Sequence, residues 1–278
     1  MFGLKCDFNF LPVNWVGWLV YFLMPAKRSI AQKNIERVFH ESLSSDERKR
    51  IIVAYYSHIF LCIKEIFLLT FLSKKYLERR VKIVGIEHLH NALQKKKGAL
   101  ILTGHFGSWE FAPLFILDKI KDEIHQGYCV RKLLRFGFLN SIFWGRFERA
   151  GYKVIRKENA LNQIRYVLKN KNVVFFPFDL RPPCNSKSSL KINFLGQSSN
   201  TYTSIACLTY RLNSPVLSAS CYRLNKRQHI VEFLPEIQHD FYENKKEFYL
   251  ENTKKYNKRL EDMVLAYPEQ WLWSYKRW

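Results

Sequence analysis

His105 and Glu110 stand five residues apart in the stretch Leu102-Thr103-Gly104-His105-Phe106-Gly107-Ser108-Trp109-Glu110. Histidine is the side chain whose ordinary pKa lets it take up and release a proton near neutral pH. A carboxylate held against one ring nitrogen fixes the tautomer and stabilises the imidazolium, which suits the ring to act as a general base. On one continuous helix a separation of five puts two side chains on different faces. A glycine-flanked turn between them can instead bring them together. The same spacing also fits a hydrogen-bonded core histidine and an ordinary first-turn acid, and the pattern alone leaves both open.

The flanking residues predict how such a turn is held. Ala99–Thr103 is a continuous apolar run of strand length, and Ser108 is a good N-cap for a helix over Trp109–Ile120. Glu110 then falls in the first helical turn, where its charge suits the macrodipole and backbone N–H groups can receive a developing oxyanion. Elsewhere apolar spacing predicts a long helix over Asp46–Leu72 capped by Ser44 or Ser45. Helices are also predicted over Glu87–Gln94, Leu133–Ala150, Leu161–Lys169, Tyr202–Leu212 and Phe241–Ala266. Strands are predicted over Val81–Ile86, Gly127–Val130, Val173–Phe176, Val216–Tyr222 and Ile230–Leu234. Alternating strands and helices imply an α/β fold, a single domain with a central mixed sheet flanked by helices.

The 278 residues carry 45 Lys and Arg against 24 Asp and Glu, a formal net charge of +21. Such an excess speaks to partners, and nucleic acid, anionic lipid and an acidic carrier protein all fit it. The charge comes without zinc spacing, an RNP motif or a helix-turn-helix signal, so no nucleic-acid partner is expected. The six cysteines show neither CxxC nor metal-ligand spacing with histidine, so a reducing compartment, no metal and no organic cofactor are expected. Phe8–Ala26 is uncharged and aromatic, but Asn9, Pro12 and Asn14 interrupt it. Trp15, Trp18 and Phe22 share one helical face, and Lys27, Arg28 and Lys33 follow. Residues 1–27 are therefore expected to form an interfacial attachment segment, with 28–278 the domain proper.

His105-Phe106-Gly107-Ser108-Trp109-Glu110 resembles the H-x4-E block of the lipid A late acyltransferases, the lauroyl/myristoyl transferase family of lipopolysaccharide synthesis. The resemblance runs over nearly the whole chain. Ala31–Phe39 resembles the family's asparagine-containing helix, and Phe175-Phe176-Pro177-Phe178-Asp179 its strand-then-aspartate block. Phe194-Leu195-Gly196 with Thr201 and Thr203, then Ser214-Pro215-Val216, resembles later segments. Tyr267-Pro268-Glu269-Gln270-Trp271-Leu272-Trp273 with Arg277-Trp278 is similar to the C-terminal signature. The chain departs from the family pattern at Val130, before Arg131, and at Leu180, after Asp179.

The resemblance implies a glycerol-phosphate-acyltransferase-like architecture and an acyl transfer to a lipid hydroxyl. It implies His105 as general base with Glu110 as its orienting partner, and Arg131 and Asp179 as substrate-binding residues. It also implies an acyl carrier protein as donor, a phosphorylated glycolipid of the lipid A precursor type as acceptor, and the cytoplasmic face of the inner membrane. The alternative donor is acyl-CoA. A glycerolipid acyltransferase is the enzymatic rival, and Glu110 and Phe176-Pro177-Phe178-Asp179 speak against it. A basic nucleic-acid-binding protein is the rival from another class.

Overall fold

The structure is a computed structural model, and it describes residues 11–131, 145–156, 159–183, 186, 188–240 and 242–278. Three helices come first: α1 (Trp15–Leu23), α2 (Pro25–Phe39) and α3 (Ser45–Phe71). Asn14 caps α1 through its side chain, and Pro25 opens α2. Ser44 and Glu47 form a reciprocal capping box on α3, so Ser44 rather than Ser45 is the cap. A short α4 (Lys74–Glu78) leads to β1 (Val81–Val84), α5 (Ile86–Gln94), β2 (Ala99–Thr103) and β3 (Gly127–Arg131). Then come β4 (Tyr152–Arg156), α6 (Ala160–Lys169), β5 (Val173–Pro177) and the hairpin β6 (Ser189–Phe194) and β7 (Gln197–Tyr202). The chain closes with α7 (Ser204–Leu212), β8 (Val216–Arg223), β9 (His229–Phe233) and α8 (Lys245–Ala266).

Seven strands form one sheet in the order β1-β9-β8-β2-β5-β3-β4, parallel throughout except for the antiparallel β8–β9 pair. The expected mixed central sheet is therefore present. Its central strands are buried on both faces, as their unbroken apolar runs require: all of Ala99–Leu102 and Val173–Phe176 are buried. Two cores follow, one on each side of the sheet. The first gathers α2, α3, α6, α7 and α8 with Trp271 and Trp273, and the second gathers α5 with Phe111–Ile120.

One expected element needs correction. Trp109–Ile120 is not an α-helix but turns with two short 3₁₀ segments, Ala112–Phe115 and Leu117–Lys119. Pro113 lacks an N–H for an i→i−4 bond, and Phe111, Ala112 and Phe115 fill the core from the tighter turns instead. Tyr152–Arg156 and the β6–β7 hairpin are strands that the sequence reading passed over. The hairpin turns at Leu195 and Gly196, both at positive φ. Most of the helix expected over Leu133–Ala150 lies outside the described residues, of which 145–149 are helical.

Candidate active site

Parallel pairing decides which loops meet. Thr103, the last residue of β2, is level with Pro177, the last of β5, and the Phe178 N–H donates to the Thr103 carbonyl at 2.8 Å. The loops after these strands therefore leave side by side, at the carboxyl ends of the sheet where α/β folds place their sites. Strand β3 pairs with the other edge of β5, so Arg131 reaches the same end.

His105 and Asp179 are consequently in contact. Their side chains meet at 2.9 Å between Nδ1 and Oδ1, and the His105 backbone N–H donates to Asp179 Oδ2 at 2.7 Å. The indole N–H of Trp271 donates to the same oxygen at 3.1 Å. Asp179 is buried, while the imidazole keeps a quarter of its surface open. Burial opposes protonation of His105, but the charge and hydrogen bond of Asp179 outweigh it and raise the ring's pKa above its ordinary value. Burial pushes Asp179 upward, and the charge and hydrogen bonds of His105 with the Trp271 bond outweigh it, so the carboxyl titrates below the usual range. With Nδ1 occupied, Nε2 is the nitrogen left for a substrate proton.

Glu110 does not orient the imidazole. Its carboxylate is ion-paired with Arg131 through one oxygen and with Arg146 at 3.3 Å through the other. Glu110 sits in a turn rather than at a helix start, so no helix macrodipole acts on it. The four residues expected at the site are thus all brought together, but in different pairs from the one expected. Asp179 is the partner of His105, and Glu110 is the partner of Arg131. Arg131 also lies over the Phe147 ring at 4.4 Å.

The dyad stands at a cavity of about 520 Å³ whose lining is largely apolar. His105, Glu110 and Arg131 are among its polar groups, while Cys129, Phe147, Tyr152, Phe175, Ala219 and Val231 belong to its apolar wall. Among the described residues no cluster of three or more His, Cys, Asp or Glu could hold a metal.

The turn carrying His105 rests on a buried floor that the sequence reading missed. Ser108 Oγ donates to Glu65 Oε2 at 2.7 Å and accepts from Arg223 Nη2 at 2.8 Å. Arg223 grips both oxygens of Glu65, at 2.5 and 2.7 Å, and His229 approaches the same carboxylate at 2.9 Å. Burial would raise Glu65, but bonds from His229 and Arg223 prevail and bring it down to about 2. His58 Nδ1 lies 3.4 Å from Arg223 Nε, and its Nε2 lies 3.1 Å from the Gly107 carbonyl oxygen. Burial, together with the charge of Arg223, lowers His58 to about 3. The ring is therefore neutral, donates from Nε2 and accepts at Nδ1. Gly107 itself has φ +61°, and a Cβ there would overlap the Cys221 carbonyl. From the other side the C-terminal segment pairs with the turn: Gly107 N–H donates to Gln270 O and Leu272 N–H to His105 O. The only hints of this floor in the sequence are Glu65, the one acid in the apolar run from Ile51 to Phe71, and a lone arginine closing β8.

Trp271 and Trp273, 2% and 0% exposed, pack in the core. Trp271 in addition ties the C-terminus to the dyad.

A stretch of 91 residues is 25% identical to the lipid A biosynthesis lauroyltransferase of Escherichia coli (strain K12), covering 33% of this chain and 29% of that protein. The chain thus matches less than a third of that curated relative's length. The crystal structure of the 1-acyl-sn-glycerophosphate (LPA) acyltransferase of Thermotoga maritima aligns with 88% of this chain and 97% of its own, at 14% identity and a TM-score of 0.36. The family model for the bacterial lipid A biosynthesis acyltransferases matches residues 10–278, nearly the whole length, and the chain belongs to that family.

Proposed function

We propose that the chain transfers a fatty acyl group from an acyl-carrier-protein thioester to a hydroxyl of a lipid A precursor or related glycolipid at a membrane surface. The observation that carries this is the His105–Asp179 pair at the mouth of a largely apolar cavity. Asp179 fixes the ring with Nε2 available. Nε2 takes the acceptor's hydroxyl proton as that oxygen attacks the thioester carbonyl. The tetrahedral intermediate then collapses, the C–S bond breaks, and the imidazolium returns its proton to the departing thiolate. No acyl-enzyme is needed, and none of these steps calls for a cofactor.

The apolar cavity is suited to the acyl chain. Arg131, positioned by Glu110, is the group for a substrate anion, either an acceptor phosphate or the carrier's phosphopantetheine arm. The net charge of +21 favours an acidic carrier and an anionic membrane surface. We place the protein on the cytoplasmic face of the inner membrane as a monotopic enzyme, with residues 1–27 contributing to attachment. The described helix in that segment, α1, has nine residues, or about 13–14 Å, well short of a roughly 30 Å hydrocarbon core.

The test is to incubate the full chain with acyl carrier protein loaded with labelled acyl groups and dispersed lipid A precursor, then weigh the lipid products. A mass increment of one acyl group in the precursor, absent with His105→Ala, is the expected result. Transfer only from acyl-CoA to a glycerolipid would replace this reading with the rival enzyme.

A further inference from the structure

Among the described residues fifteen large hydrophobics are exposed, and ten of them belong to α1, Met24 and α3. On α3 they are Phe60, Ile63, Phe67 and Phe71, at steps of three, four and four, which is one stripe along the helix. Phe67 is 61% and Phe71 is 78% exposed.

The stripe continues a face that is covered further back. Lys49, Val53, Ser57 and Phe60 follow one another at helical spacing. Gly17 of α1 packs directly on Val53 and Ser57, where a Cβ would strike the Ser57 hydroxyl at 2.0 Å. Asn14 N–H donates to Ser57 Oγ, and Lys49 lies over the Trp18 ring. So α1 lies across the N-terminal half of this face and leaves the half from Phe60 to Phe71 bare. Trp15 and Leu19 stand two residues from Gly17, about 200° around the helix, and so point away from α3. The outward face of α1 and the bare half of α3 therefore look the same way.

The opposite face of α3 carries His58, Cys62 and Glu65, which hold Gly107, Ser108 and Arg223 inside the domain. Ser45–Leu69 is long and apolar enough to cross a bilayer, yet 56% of its apolar window is buried in the fold. A helix bound along its length to the domain through a buried ion pair does not cross hydrocarbon alone. Lys64, next to the bare stripe on α3, is exposed, and so are Lys75 and Arg79 soon after α3 in the chain and Lys27 soon after α1; all four are basic. An apolar face edged by cations matches the interface of an anionic bilayer.

We propose that the bare stripe of α3 and the outer face of α1 form one membrane-docking face, with α3 lying in the plane of the bilayer interface. The same helix then touches lipid on one side and supports the His105 turn on the other, so the dyad sits about one helix diameter from the membrane. This rests on the proposed action upon a membrane lipid, and it adds α3 to the attachment expected of residues 1–27 alone.

The experiment uses the full chain and equimolar phosphatidylcholine–phosphatidylglycerol vesicles. Ile63→Ser/Phe67→Ser/Phe71→Ser is expected to weaken vesicle partitioning by at least about tenfold, given the apolar area withdrawn. Its turnover of a detergent-dispersed acceptor should stay within about twofold of wild type, which reads the chemistry separately from docking. Phe67→Ser alone should show an intermediate loss, providing a second readout if the triple variant folds poorly. High salt should release part of the wild-type protein, and alkaline carbonate the rest. Unchanged partitioning of the variants would overturn the proposal. So would wild-type protein that resists carbonate, which would mean a spanning helix. So would a lipid-free dimer that the same substitutions dissociate, which would mean that a second copy covers the stripe.

Discussion

His105 and Asp179 are joined twice, once through the ring at 2.9 Å and once through the His105 backbone N–H at 2.7 Å. The carboxylate thus fixes both where the histidine starts and how its ring is turned. Asp179→Asn keeps the shape but can present an N–H to Nδ1 and favour the wrong tautomer. We expect it to lower kcat by about 10²–10⁴-fold, close to His105→Ala, with the fold retained. Near wild-type turnover of Asp179→Asn in a steady-state assay would remove Asp179 from the mechanism.

The pH dependence has a definite sign. A base must be deprotonated, so activity should rise with pH as His105 loses its proton. Asp179 holds that pKa above the ordinary histidine value, which places the acid limb of kcat/KM above about 6.5. Removing the negative charge in Asp179→Asn lets burial dominate, and the limb should move to lower pH in whatever activity remains. A limb that stays fixed would assign it to another group.

Glu110 and Arg131 should behave as a unit. Arg131→Lys keeps the charge but loses the two-pronged reach, and should raise KM for the anionic substrate by about tenfold or more. Glu110→Gln frees the guanidinium and should act in the same direction. The double variant should then fall well short of the product of the two effects. Strict additivity in the double-mutant cycle would show that Glu110 does not act through Arg131.

The buried floor should separate stability from positioning. Glu65→Ala strands Arg223 and is expected to cost about 3–5 kcal/mol in urea unfolding. Glu65→Leu/Arg223→Met removes both charges and should regain most of that stability, since apolar replacement of a buried pair is often neutral. Ser108 would still have lost its Glu65 and Arg223 partners in this variant, so kcat should remain well below wild type. Full recovery of kcat together with stability would make the floor a purely structural feature.

The sequence by itself determined six of the seven strands of the central sheet and most of the helix stripes, because apolar periodicity and caps are local. Ala99–Thr103 and Val173–Phe176 had to be buried strands, and Ser44 or Ser45 had to start α3. Local pattern also marked out His105 and Glu110, and the family resemblance added Arg131 and Asp179. Only the tertiary structure decided which acid serves which base. His105 and Glu110 are five residues apart yet make different partners, because Asp179 holds the imidazole while Arg131 and Arg146 hold the Glu110 carboxylate. His105 and Asp179 are 74 residues apart yet touch, because β2 and β5 are paired in parallel with their ends level. Strand pairing is a non-local choice that spacing along the chain does not encode. The floor of Glu65, Arg223, His58 and Ser108 has the same origin: its members come from α3, β8 and the His105 turn, and no local signal predicts that buried charges from separate elements will meet.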